Sequence, residues 1–190
     1  MSSNLETVKL SDLIAEAGRI AVEAQAAFGG LSPAQLNWKR SNEEWSIGQC
    51  FEHLILTNRP YFPLVERIAA GERRQSLWQR MPLLPGFFGR LVLGAVKPES
   101  ARKVKARPGF IPATSDIDGQ IISQFQKHQE ELMRLMKTTE GLELEKIIIT
   151  SPIASVVTYS LLDGYRIIVT HERRHFLQAE RVMAAEGFPL

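Results

Sequence analysis

Apolar residues recur three and four positions apart in four stretches of the chain, and each stretch predicts an amphipathic helix. In the first, about 9–28, Leu10, Leu13, Ile14, Ala17, Ile20, Ala21, Ala24 and Phe28 make one stripe, and the pair Gly29–Gly30 ends it. The second opens at WSIGQC, where Ser46 followed three residues later by Gln49 is a capping box. Ile47, Cys50, Phe51, His53, Leu54 and Thr57 follow, and Pro60 and Pro63 should kink or divide the helix before it ends near Gly71. The third is expected over about 116–137, with Ser115 as cap and Asp118 at the third helical position. Its apolar face is Ile117, Ile121, Ile122, Phe125, Leu132, Leu135 and Met136. The fourth is expected over about 159–185, capped by Thr158 and stopped by Gly187.

The segments between these helices are unequal. Residues 72–114, rich in proline, glycine and arginine, separate the second helix from the third and have room for a short apolar helix around 86–96. A connection of that length crosses over, covers a site or makes a partner surface more often than it idles. Residues 144–157 are β-branched and suit a short strand, although Pro152 argues against a central one. The pattern predicts one all-α domain over 1–190: a four-helix bundle with a long crossover between its second and third helices.

Charge and composition narrow the partners. The net charge of +2 gives no field for nucleic acid. The basic run Arg102, Lys103, Lys105 and Arg107 lacks the interleaved aromatics of a nucleic-acid groove. It suits either a solvated loop or attraction of an acidic small molecule. The longest apolar stretch, 83–96, is too short and too interrupted to span a bilayer, so no membrane crossing is expected. A single cysteine, Cys50, excludes an internal disulfide. Together with an N-terminal stretch that lacks a signal-peptide layout, it gives a cytoplasmic expectation.

The chemistry lies with the histidines. His171 and His175 stand four apart in HERRH, on the fourth predicted helix, so both rings leave one face. Gly164, Ile168, Gln178 and Val182 share that otherwise apolar stripe, which should point inward. Two imidazoles so placed are a usual way for one helix to give two ligands to a metal, although a half-exposed polar face at the bundle end has the same spacing. Read as H-E-x-x-H, the stretch matches the motif of zinc proteases. Those enzymes need a third ligand downstream, and only Glu180 and Glu186 remain there, neither on the face of the histidines. The third ligand must come from upstream, and His53, two turns into a capped helix among apolar neighbours, is the best candidate. Three neutral nitrogens would leave a coordination position open, as in catalytic rather than closed structural sites.

The other polar groups have two readings each. His128 lies on an apolar face with Phe125 and Leu132 and is either a metal ligand or, more often for such a residue, a core or interface histidine bonded to a backbone carbonyl. Cys50, nearly on the face of His53, is either a soft fourth ligand or reactive thiol or, more often for such a residue, a small core side chain. Glu172 flanks the histidine face. It is either a catalytic base or outer-sphere group beside the metal, or a solvated glutamate paired with Arg173 or Arg174. Gln178, one turn past His175, can bond a histidine or a water.

LNWKRSNEEWSIGQCFEHLILTNRPYF (36–62) and YSLLDGYRIIVTHERRHFLQAERV (159–182) resemble the two signature regions of the DinB-like (DinB/YfiT) superfamily. ARKVKARPGFIPA (101–113) is similar to the family's connection before the third helix. Trp45, Ser46, His53, His171 and His175 stand where that pattern wants them. The resemblance implies a four-helix bundle with a divalent metal, commonly zinc or nickel, near one end, and often a homodimer. Characterised relatives include transferases and isomerases that use a low-molecular-weight thiol such as bacillithiol, mycothiol or glutathione, and others are described as metal-dependent hydrolases. A three-histidine metal can lower the pKa of a water or thiol bound at its open position, which suits either reaction on a small-molecule substrate. The alternative is a metal-binding stress or sensor protein without turnover.

Overall fold

The computed structural model describes residues 8–72, 84–98, 108–113 and 116–189. Of the basic run, Arg102, Lys103, Lys105 and Arg107 lie outside the described residues, as does Ser115. Among the described residues the chain is mainly helical. In order it forms α1 (Leu10–Phe28), α2 (Pro33–Asn37), α3 (Ile47–Asn58), a 3-10 turn (Arg59–Tyr61), α4 (Phe62–Ala69), α5 (Leu84–Val96), α6 (Ile121–Lys137), β1 (Ile148–Thr150), β2 (Thr158–Ser160) and α7 (Leu161–Met183).

Helices α1 and α3 each pack against both α6 and α7. One phenylalanine from each of these four helices meets in a chain of rings: Phe28 on Phe51 at 5.5 Å, Phe28 on Phe176 at 5.6 Å, and Phe51 on Phe125 at 4.9 Å. Each tilted or edge-on ring pair adds about 0.5–1.5 kcal/mol beyond the area it buries. Arg173 fastens α7 to α1 from the rim, pairing with Glu16 at 2.7 Å and with Glu23.

The second predicted helix divides where its prolines demand. α3 ends at Asn58, Pro60 sits in the 3-10 turn and α4 resumes at Phe62. The short apolar helix expected around 86–96 is α5, which packs on β2 and α7.

The starts of the third and fourth predicted helices need correction. The third predicted helix starts at Ile121 rather than near 116, because Asp116 has φ 88°, a left-handed conformation that no α-helix passes through. Asp118 is not inside that helix. Its carboxylate accepts from the Gln120 N–H and the Gln124 amide just ahead of it. Ile117 is instead a separate plug, buried against Gly48 of α3, where a Cβ would lie 3.0 Å from it.

The fourth predicted helix starts later as well. Thr158 and Tyr159 belong to β2, paired antiparallel with Thr150 and Ile149, and Ser160 is the cap that accepts from Asp163 N. Pro152 falls in the connection between the strands, where it breaks no ladder. The pattern also passed over α2. Ser32 and Gln35 form the same capping box as Ser46 and Gln49, but over five residues that are too few to show a period.

No helix of the described residues is long and apolar enough to cross a membrane.

Candidate metal centre

Two local devices aim the histidines. The Ser46–Gln49 box starts α3 at Ile47: Ser46 Oγ accepts from Gln49 N and the Gln49 amide oxygen accepts from Ser46 N, both at 3.1 Å. That fixes the phase of the helix, and His53 leaves it toward α7 with only 5% of its surface exposed. The β-hairpin feeds α7 directly, and Gly164 lets that helix settle against it, since a Cβ there would lie 3.3 Å from Ile149 and 3.4 Å from Tyr159.

His53, His171 and His175 come together, each offering a ring nitrogen within 4.8 Å of the others. The Nε2 atoms of His171 and His175 are 3.0 Å apart. His53 Nδ1 donates to the Phe110 carbonyl at 2.7 Å, so its lone pair is on Nε2. Such a bond from the remote ring nitrogen fixes tautomer and orientation in metal-binding histidines. The segment carrying Phe110 is strapped to the same helix. Gln49 donates to the Ala113 carbonyl and Glu52 accepts from Ala113 N. Trp45, just before the cap, stacks on His175 at 5.5 Å and tilts over His53 at 4.7 Å.

The cluster's electrostatics keep its lone pairs free. Burial lowers the pKa of His53, opposed by the Phe110 carbonyl. Burial holds His171 well below the usual histidine range, helped by His175, His53 and Arg174. Burial pushes His175 down to about 3, with His53 and Arg174 adding to it and the Gln178 amide opposing. All three rings are therefore neutral near pH 7.

Two neutral Nε2 atoms at 3.0 Å form a hydrogen bond only if one carries the proton, whereas a cation takes both lone pairs. A third ring nitrogen with the same need, and no acid between them, makes a donor set that fits a divalent cation. Among the described residues this group contains three side chains and no fourth histidine, cysteine or carboxylate.

The remaining candidates separate. Cys50 is fully buried in the core with its thiol pushed up to about 12 by burial, and it does not join the group. His128 is also buried in the core, stacked on Phe62 at 4.8 Å. It does not bond a carbonyl through Nε2, which has no hydrogen-bond partner among the described residues. Gln178 is half-buried beside His175.

Glu172 is not the solvated glutamate that its two arginine neighbours suggested. It is fully buried, while Arg173 turns to α1 and Arg174 donates to the carbonyls of Ala95 and Lys97. Glu172 accepts instead from the amides of Asn58 at 2.7 Å and Gln129 at 2.9 Å. Burial raises its pKa to about 8 against the pull of those amides.

Sequence reasoning missed Asn58 and Gln129. Each stood on a helix as one polar residue among many, and only the packing shows that they share one acceptor. The Phe110 carbonyl had no signal, since any residue supplies one.

A model of the DinB superfamily matches residues 19–179. Neither a curated protein nor a solved structure matches the chain. The matched span holds Trp45, Ser46 and all three clustered histidines, and this chain belongs to the DinB superfamily.

Proposed function

We propose that this chain is a four-helix-bundle metalloenzyme in which His53, His171 and His175 hold a divalent cation, zinc or nickel, and that it acts on a small molecule with a thiol or water as nucleophile. The observation that supports this best is the convergence of three neutral imidazoles, two buried and His171 half-buried, with no fourth protein ligand among the described residues. A metal held there would supply a Lewis acid with a position left for an exogenous group.

The protein's own residues do the positioning. The Phe110 carbonyl keeps the His53 lone pair on Nε2, and Trp45 covers two of the rings, limiting water on that side. Thiol-dependent transfer to an electrophile is the leading reading and hydrolysis the second, both drawn from family membership together with the incomplete ligand set.

The test is an activity screen on metal-reconstituted protein, presenting electrophiles with and without bacillithiol, mycothiol or glutathione. Product that needs both metal and thiol supports transfer, and product formed with water alone supports hydrolysis. Full metal occupancy without turnover across the screen would favour a binding or sensor role.

A further inference from the structure

A fully buried carboxylate lies next to a proposed ligand, with two amides from other helices on it. Glu172 is adjacent to His171 on α7, and Asn58 lies five residues past His53 on α3. The 2.7 Å bond between them therefore joins the two ligand-bearing helices beside the ligands. The second bond, 2.9 Å from Gln129, ties the same carboxylate to α6, and the Gln129 amide also reaches the Ala17 carbonyl of α1 at 3.4 Å. No oxygen of Glu172 reaches water: its exposure is 0%, and that of Gln129 is also 0%.

We infer that Asn58 and Gln129, acting through Glu172, are positioning residues that set the rotation of α7 so that His171 and His175 face His53. This deepens the metal reading above and rests on it. The physical reason is the asymmetry of buried hydrogen bonds. Any turn or slide of α7 would strand a carboxylate and two amides without partners in the core, whereas an apolar contact at the same place would tolerate the slip. A buried polar contact that fixes register is the best supported use of such groups.

As bonded in the structure, each Glu172 oxygen accepts from one amide, so the interaction has a polarity that can be broken and rebuilt. Glu172→Gln leaves an amide that can accept from only one of its two donors. Asn58→Asp/Glu172→Gln moves the carboxylate across the same contact: the new amide at position 172 donates to the new carboxylate at position 58 and accepts from Gln129. Asn58→Ala removes one donor and leaves Glu172 bonded to Gln129.

The test uses the full chain stripped with chelator and titrated with Co2+, whose visible absorption reports ligand geometry, beside a thermal melt. Glu172→Gln should still take one Co2+ per chain at saturation, with roughly tenfold weaker binding and an altered spectrum. Asn58→Ala should shift both in the same sense, and the swapped pair should return to the wild-type spectrum and affinity. A variant that melts earlier yet keeps the wild-type spectrum and affinity would overturn the inference, leaving the network a purely structural brace. So would a swapped pair that folds and stays weak. Wild-type protein that takes up no Co2+ would instead overturn the metal reading itself, before any substitution is compared.

Discussion

Loss of water around an imidazole lowers its pKa and keeps it neutral, and here that applies to four rings with two different consequences. At the cluster, neutrality leaves lone pairs that suit a metal ion. Because the pKa values of His53, His171 and His175 are all lowered, protons compete for their lone pairs only below the range of free histidine. Metal affinity measured by competition with a chelator of known pH dependence should therefore begin to fall only at a lower pH than ligands titrating at about 6.5 would give. An affinity already falling at pH 7 would show that the rings titrate normally. His53→Ala, His171→Ala and His175→Ala should each abolish one-per-chain metal binding, read by elemental analysis after dialysis. Metal retained in any one of them removes that residue from the ligand set.

His128 has the other consequence. Burial, reinforced by Arg59, lowers it to about 4 in the folded protein, against roughly 6.5 when unfolded. Between those values the unfolded chain binds the extra proton. Its contribution to stability is thus complete above pH 6.5 and is lost as pH falls toward 4, on the order of 3 kcal/mol in all. Urea unfolding of metal-free protein across that range should show a shallower acid limb in His128→Leu than in wild type. Identical limbs would mean that His128 does not carry the effect. At this scale the histidine pair was legible because a four-residue spacing on a helix specifies a shared face. Glu172 was not, because a glutamate between two arginines has the same sequence signature whether it is solvated or sealed under two amides from distant helices.

Among the elements, those with strong local signals began where their caps stood. Ser46 and Gln49 cap each other in a buried setting, and α3 starts at the next residue. Ser46→Ala should cost about 1 kcal/mol of stability, read from the urea midpoint at unchanged slope. A loss near zero would show that packing alone sets the start of α3.

The two helices that began later than expected share a cause: residues with good helical patterning were claimed by tertiary contacts. Asn37 accepts the backbone N–H groups of Asp116 and Ile117, holding that turn outside α6. Pairing with Ile149 and Thr150 keeps Tyr159 and Thr158 in β2. Periodicity reads one helix at a time, and neither partner lies within reach of that reading.

Across the molecule, the helical class and the family were legible from two signature stretches, 36–62 and 159–182, and the matched span of 19–179 contains both. Phe28, Phe51 and Phe125 stood on the predicted helices, but Phe176 lay off the stripe read for the fourth helix, and which ring meets which depends on how the helices cross. The same crossing brings His53 to the pair on α7, and the site is a property of the assembled fold that no single helix has.

That convergence is most directly tested by X-ray absorption at the metal edge of the zinc-reconstituted protein. The account predicts three imidazole nitrogens at about 2.0–2.1 Å, no sulfur, and a light atom from outside the protein completing the shell. A sulfur at about 2.3 Å, or fewer than three imidazoles, would contradict it.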